Sequence, residues 1–124
     1  MLNFLEKNRV ISFIFLILIS MEIYFFSSVK GGGVSQALPI KSVIYHLCAF
    51  FLFAIFLLTT IKGKKKIQIY HLLLTLTISF FYAILDETHQ IFVPGRNASI
   101  SDIIINNTGI LFALIISLIN QIKR

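Results

Sequence analysis

Four long hydrophobic runs organise the sequence, and short polar segments separate them. The runs span residues 10–26, 43–61, 67–85 and 103–119, which is 17 to 19 residues each. A helix needs about 20 apolar residues, within a range of about 17–25, to cross the hydrocarbon core of a bilayer. Only helices and closed barrels satisfy the backbone in lipid, and these runs are too continuous for barrel strands, which alternate. The pattern therefore predicts an all-α membrane protein, a bundle of four transmembrane helices.

The first run is predicted to stay in the protein as a helix and not to be removed as a signal peptide. Its apolar stretch is longer than the about 7–15 residues of a signal-peptide core. It also contains Glu22, and no A-x-A cleavage motif precedes Gly31. The first run is therefore counted among the membrane helices.

The amino-acid composition supports membrane residence and argues against other classes of protein. The chain is 57% hydrophobic and 13% charged, whereas soluble domains contain about 45–50% apolar and about 25% charged residues. Such a chain is too hydrophobic to be disordered. Cys48 is its only cysteine, which argues against a disulfide framework and a Cys-based zinc site. A length of 124 residues leaves room for one domain, so residues 1–124 are predicted to form a single membrane domain.

Basic residues are distributed unevenly between the two sides of the predicted bundle. Eight lie at the chain ends or between the second and third runs, and three lie on the other side. Because Lys and Arg concentrate in cytoplasmic segments, we predict a multi-pass protein of the plasma membrane with both termini cytoplasmic. The net charge of +6 is explained by contact with anionic membrane lipids, and no nucleic-acid partner is predicted. The cytoplasmic set is Lys7, Arg9, Lys62, Lys64, Lys65, Lys66, Lys123 and Arg124, and the outer set is Lys30, Lys41 and Arg96.

The two outer connections differ in character. Residues 28–41 contain three consecutive glycines and are predicted to be flexible, but they lack the rest of a phosphate-loop motif. Residues 86–102 are richer in polar side chains, and Pro94-Gly95 predicts a turn there. Any chemistry on the outer side is therefore expected in the second connection.

Four of the five acidic residues fall on the outer side, where two polar stripes converge. These acids are Glu22, Asp86, Glu87 and Asp102. In a helix, residues three and four apart share a face, and polar faces turn away from lipid towards other helices. One stripe consists of Asp102, Asn106, Gly109 and Ala113, and the other of Thr75, Ser79, Tyr82 and Asp86, continuing towards His89 and Gln90. With His46 and Arg96 on the same side, the pattern predicts a packed, hydrogen-bonded polar pocket at the outer face.

Several interpretations of these polar residues stay open at the level of the sequence. The charges are compatible with a wet interface at the helix ends, and with a structural ion pair between Arg96 and an acid. Ser99 and Asp102 also resemble a capping box for the fourth helix. His46, His89 and a carboxylate are compatible with zinc. The sequence has no H-E-x-x-H motif and no pair of His at i, i+4, so no metal ion and no other cofactor is predicted.

The stretch from residue 86 to residue 109 resembles the VanZ-like family. In that family an acid is typically followed by Gln, by P-G-R, and then by D-x-x-x-N-x-x-G. The corresponding residues here are the acids Asp86-Glu87, then Gln90, Pro94-Gly95-Arg96, Asp102, Asn106 and Gly109. Phe26-Ser27-Ser28 and His46 are also similar to the family, whereas Phe50 stands where Tyr is common and Ala113 replaces a usual glycine.

The resemblance implies a small protein of the cell envelope, and the founding member of the family is associated with low-level teicoplanin resistance in bacteria. We therefore predict a non-enzymatic protein that contacts membrane lipids and engages a glycopeptide antibiotic, an envelope lipid or a cell-wall precursor through its outer pocket. Arg96 is the natural partner for a phosphate or carboxylate. The predicted ligand-binding residues are His46, Asp86, Glu87, His89, Gln90, Arg96, Asp102 and Asn106.

Two alternatives belong to different classes of protein. In the first, the protein is a membrane enzyme that acts on an outer-leaflet lipid-linked substrate. His46 or His89 would then be the base, and Asp86 or Glu87 its partner. In the second, the protein is a structural or assembly subunit whose polar groups only lock helices together.

Overall fold

The computed structural model describes residues 2–30 and 40–123, and most of these residues are helical. The helices are α1 (Leu2–Lys7), α2 (Arg9–Ser28), α3 (Ile40–Lys62), α4 (Ile69–Ile91) and α5 (Ile100–Ile122). The last four are 20 to 23 residues long and apolar enough to cross a membrane. The predicted all-α bundle of four membrane helices is thus confirmed. The glycine-rich connection predicted to be flexible falls largely on residues 31–39, outside the described residues.

The helices extend beyond the hydrophobic runs that predicted them. The largest difference is at α4. This helix begins two residues after the start of the run 67–85, and it ends six residues after the last residue of that run, at Ile91. An apolar run marks where the chain leaves the hydrocarbon, whereas a helix continues as long as its backbone groups are paired. The helix therefore extends six residues past the apolar run. As a result, Asp86, Glu87 and Gln90 lie on the last turns of α4, in line with the polar stripe predicted there.

A short helix that the hydrophobic pattern did not predict precedes the first membrane helix. Between α1 and α2, Asn8 has φ −118° and ψ 70°, outside the helical region, so the chain changes direction there. Leu5 of α1 is buried, and its carbonyl oxygen accepts a hydrogen bond from Ser12 Oγ at 2.8 Å. Glu6 pairs with Lys62 Nζ at 3.2 Å, which fixes α1 against the end of α3. We call this the inner end of the bundle and the opposite one the outer end.

Helix α3 lies at the centre of the bundle and contacts all four other helices. Its most extensive partner is α5, and Gly109 permits their close approach. A Cβ atom at Gly109 would lie 3.2 Å from the backbone nitrogen of Phe51 and still closer to the carbonyl oxygen of Leu47. Small residues allow membrane helices to pack backbone against backbone. The fully buried core near this crossing includes Phe50, Ala54, Ile110 and Ala113.

Both predicted polar stripes face the interior of the bundle. On α5, the buried residues include Asp102, Asn106, Gly109 and Ala113. On α4, the buried residues include Thr75, Ser79 and Asp86, and Tyr82 is half-buried with its hydroxyl donating to the carbonyl oxygen of Ser20 at 2.8 Å. The predicted inward orientation is confirmed. The opposite faces present apolar side chains such as Phe81 and Ile104.

The orientation of the bundle in the membrane remains a prediction, and cysteine labelling tests it. In a Cys48→Ala background, Asn97→Cys at the outer end should react with a membrane-impermeant maleimide on intact cells. Lys64→Cys at the inner end should react only after permeabilisation, because the Lys-rich connection is predicted to be cytoplasmic. Both positions are exposed, so accessibility within the protein does not bias the result. The reverse labelling pattern would place the termini outside.

Candidate functional site

The outer end of the bundle contains a buried set of polar side chains, which we call the outer cluster. All of its members are at most 7% exposed, and they come from all four membrane helices. Buried polar groups are destabilising unless they are hydrogen-bonded or otherwise compensated, so the partner of each group matters. The outer cluster consists of Ser27, His46, Asp86, Glu87, Gln90, Asp102 and Asn106.

Asp86 accepts one hydrogen bond from α2 and one from its own helix, α4. Ser27 Oγ donates to Asp86 Oδ1, and Gln90 Nε2 donates to Asp86 Oδ2 at 3.2 Å. The same amide nitrogen lies 3.4 Å from Glu87 Oε1. Because Asp86 and Gln90 are one helical turn apart, they present their side chains on the same face of α4. Ser27 was not among the predicted ligand-binding residues, although it lies in the segment that resembles the family.

A second contact joins α3 to α5. His46 Nδ1 lies 3.1 Å from Asn106 Oδ1. Since an amide oxygen only accepts, Nδ1 is the donor of this hydrogen bond. One potential ligand atom each from His46, Asp86 and Glu87 lie within 4.8 Å of one another. The structure thus brings an imidazole and two carboxylates together inside the bundle.

Arg96 anchors the second outer connection to the end of α2. Its Nε donates to the carbonyl oxygen of Val29 at 3.1 Å, and its Nη2 donates to that of Phe26 at 2.6 Å. Its Nη1 lies 3.4 Å from Gln90 Oε1. The last carbonyls of a helix have no partner within the helix, and the guanidinium supplies one. Among the described residues Arg96 forms no ion pair with an acid, so the ion pair left open by the sequence is not present.

The predicted turn at Pro94-Gly95 positions Arg96 for these contacts. Gly95 has φ +77°, and the backbone nitrogen of Arg96 donates to the carbonyl oxygen of Val93 at 3.1 Å. Pro at the second position and Gly at the third, with positive φ, are the requirements of a type II turn. The turn is confirmed, and it directs the Arg96 side chain back towards α2.

Glu87 caps α5 in place of Asp102. Ser99 occupies the N-cap position as predicted, but its side chain makes no capping hydrogen bond. In a capping box, a carboxylate at the third helical position accepts from the N-cap backbone N–H. Here the backbone nitrogen of Ser99 donates to Glu87 Oε2 at 3.0 Å. The capping interpretation of Asp102 is therefore wrong, and its Oδ1 is buried without a hydrogen-bond partner in the described chain.

His89 lies apart from the outer cluster. Its Nε2 is 2.9 Å from Ser28 Oγ, and its ring packs at a tilt against Tyr24, with 4.7 Å between centroids. Among the described residues it does not join the ligand atoms around His46, so the zinc set that combined both histidines is not formed. Of the eight predicted residues, six lie in the outer cluster, Arg96 borders it, and His89 is on the outside of α4.

An apolar groove of about 500 Å³ runs between α2 and α4 beside the outer cluster. The groove is open on the outer surface of the helix bundle, because Met21, Tyr24 and Phe25 are each at least 60% exposed. The outer cluster itself is closed by burial. The groove is lined by Ser20, Met21, Tyr24, Phe25, Ser28 and Tyr82, so it reaches the Ser28–His89 pair.

Four helices of membrane-spanning length around a buried polar cluster define a multi-pass helical membrane protein. A family model described as VanZ/LLP1 matches residues 11–121. The chain therefore belongs to the VanZ/LLP1 family, in agreement with the resemblance of the 86–109 segment. Comparisons with curated proteins and with solved structures found no match.

Proposed function

We propose that this protein binds a lipid-linked phosphate of the cell envelope at the outer face of the plasma membrane. In this proposal the hydrocarbon chain lies in the groove between α2 and α4, and the phosphate lies at the Ser28–His89 pair. The observation that carries the proposal is the groove itself, which is open to the bilayer and ends at exposed hydrogen-bonding groups.

The groove has the size and lining expected of a site for a hydrocarbon chain. Its volume of about 500 Å³ falls within the about 300–1,000 Å³ typical of small-molecule sites. Its walls are mostly aromatic and aliphatic, and Tyr82 uses its hydroxyl within the protein, on the carbonyl oxygen of Ser20. A chain in the groove therefore meets an almost entirely apolar surface.

The charges at the outer end favour a phosphate at the rim instead of inside the outer cluster. Buried carboxylates repel an anion, whereas Lys30 at the end of α2 is exposed and His89 can donate from its ring. Arg96 uses three of its five N–H groups on α2 and Gln90, which leaves two donors. Of the predicted ligand-binding residues, His89 and Arg96 would thus contact the ligand. The six in the outer cluster would hold the helix ends in place.

This arrangement supports binding more strongly than catalysis. The enzyme alternative requires a base that substrate can reach, and His46 is 4% exposed. His89 is accessible to a substrate, but its side-chain hydrogen bond is to Ser28 and not to an acid. A role in teicoplanin-type resistance would follow indirectly, through the lipid-linked precursor that the protein holds, without direct contact with the antibiotic.

Photocrosslinking tests where the hydrocarbon chain lies. The full-length protein in nanodiscs is mixed with a polyprenyl phosphate that carries a photoreactive chain, and crosslinked peptides are mapped by mass spectrometry. Labels should concentrate on Met21, Tyr24 and Phe25, in excess over Ile104 and Ile115 on α5, which are 62% and 51% exposed. Equal labelling of both surfaces would show that the groove has no preference for the lipid.

The headgroup contact is tested by His89→Ala, with Thr88→Ala as the matched control. Thr88 is exposed and its hydroxyl donates within α4, to the carbonyl oxygen of Ile84. Loss of one hydrogen-bonding group should weaken retention of polyprenyl phosphate about two- to tenfold, with retention of uncharged polyprenol unchanged. If His89→Ala and Thr88→Ala retain the phosphate equally, His89 does not bind the headgroup.

A further inference from the structure

We propose that the outer cluster is a binding site for a divalent first-row transition-metal ion, with His46, Asp86 and Glu87 as ligands. This site is separate from the lipid groove and does not depend on the proposed function. No metal was predicted from the sequence, because the ligands come from two different helices and form no short motif.

The spacing of the three ligands suits one ion. Ligand atoms of His46, Asp86 and Glu87 lie within 4.8 Å of one another. Two atoms that bind the same ion at about 2.0–2.2 Å are at most about 4.4 Å apart, so small side-chain rotations complete the geometry. All three side chains are buried, which excludes the bulk water that would otherwise compete for the ion.

Asn106 prepares His46 for metal binding. Its amide oxygen accepts from His46 Nδ1, which leaves Nε2 as the ring nitrogen that can bind an ion. Metal-binding histidines commonly donate their other N–H to an oxygen in this way, and the contact fixes the ring orientation and tautomer. Asn106 is fully buried, so this orientation is held by the packing of α5 against α3.

Asp102 is a further buried carboxylate beside the three ligands. It is 7% exposed, and its Oδ1 accepts no hydrogen bond from the described residues. It lies one turn before Asn106 on the same face of α5, but it is not in the set whose ligand atoms lie within 4.8 Å of one another. Its unpartnered oxygen therefore favours a cation in the outer cluster without binding that cation directly.

Three acidic groups are buried in the outer cluster, and their ionised forms require compensation by hydrogen bonds, by a proton or by a cation. Asp86, Glu87 and Asp102 are three buried carboxylates, and removing each from water is strongly unfavourable without compensation. Arg96 acts on Asp86 and Glu87 through its electrostatic field, but its guanidinium is hydrogen-bonded to α2 and Gln90. A divalent ion would neutralise two of the three negative charges directly.

The ligand types restrict the ion. One imidazole with two or three carboxylate oxygens suits Zn²⁺ or Mn²⁺. Ca²⁺ and Mg²⁺ prefer oxygen ligands alone. Cu(I) prefers thiolates, and Cys48 is exposed and outside the cluster. Zn²⁺ and Mn²⁺ are therefore the probes for the test.

The test uses full-length protein in nanodiscs, freed of its purification tag and of metal by dialysis against a chelator. Titration with Zn²⁺ and with Mn²⁺, followed by calorimetry and by elemental analysis, should give one equivalent per chain for at least one of them. His46→Gln and Asp86→Asn should each weaken binding at least about tenfold, in line with the effects of altering metal-site residues. His89→Gln and Glu22→Gln are matched controls that should bind as the unaltered protein does, since both lie outside the outer cluster.

A second measurement uses only the unaltered protein, so its result does not depend on whether the variants fold. Co²⁺ added to the unaltered protein should give ligand-field absorption bands of a protein-bound ion, and Zn²⁺ should abolish them by competition. Metal should also raise the thermal midpoint reversibly, since a ligand that binds only the folded state stabilises it. The proposal is overturned if no saturable binding of Zn²⁺, Mn²⁺ or Co²⁺ occurs, or if folded His46→Gln and Asp86→Asn proteins bind as tightly as the controls.

Discussion

Replacing Gly109 with Ala should lower the free energy of unfolding by about 1–3 kcal/mol, the range found when extra groups are forced into a packed core. The added methyl group meets backbone atoms of α3, the carbonyl oxygen of Leu47 and the nitrogen of Phe51, and backbone cannot rotate away as a side chain can. The two central helices must therefore separate to accommodate it. Denaturant unfolding of the protein in detergent micelles, followed by circular dichroism, measures the loss.

Thr108→Ala is the control for this prediction. Thr108 precedes Gly109 on α5, and its hydroxyl bonds within its own helix, to the carbonyl oxygen of Ile104. Its truncation should change the free energy of unfolding by less than about 0.5 kcal/mol, as for most surface substitutions. Should Gly109→Ala unfold at the same denaturant concentration as Thr108→Ala, α3 and α5 are not as close as the structure has them.

Replacing Arg96 with Ala should destabilise the outer end by about 2 kcal/mol, taking about 0.5–1.5 kcal/mol for each of three hydrogen bonds and discounting for their exposure. The carbonyl oxygens of Phe26 and Val29 would lose their side-chain partner. The same unfolding experiment measures the change. Arg96→Lys should be nearly as destabilising, because one ammonium group cannot reproduce the planar set of donors that reaches three acceptors.

Lys41→Ala separates the loss of charge from the loss of hydrogen bonds. Lys41 is an exposed cation in the first turn of α3, on the same side of the membrane as Arg96 in the predicted orientation. Its removal should leave the free energy of unfolding unchanged within about 0.5 kcal/mol. Full stability of Arg96→Lys would mean that charge alone suffices, and the anchoring of α2 by the guanidinium would then be wrong.

The membrane helices could be predicted because their signals are local. An apolar run of sufficient length is visible without any partner, and the stripes ending at Asp86 and beginning at Asp102 follow from helical periodicity alone. The turn at Pro94-Gly95 is equally local, because its chemistry lies in two adjacent residues. These features all survive in the structure.

The partners of the polar residues could not be predicted, because they lie far apart in the sequence. Nothing near Arg96 indicates that it would bind carbonyls about 70 residues earlier, at the end of α2. The local pattern Ser99–Asp102 favours a capping box, yet Glu87 of the preceding helix takes the capping position. His46 and His89 looked equivalent in the sequence, and only the packing of the helices separates them.

The long-range hydrogen bonds of the outer cluster also determine when the protein can complete its fold. Ser27 and Asp86 are 59 residues apart and His46 and Asn106 are 60 apart, and the N-terminal part of a chain is synthesised and folded first. Ser27 and His46 therefore enter the bilayer before either has its partner. A chain that stalls before α5 leaves an unpaired imidazole within the membrane. The His46–Asn106 contact therefore distinguishes a finished molecule chemically from an unfinished one.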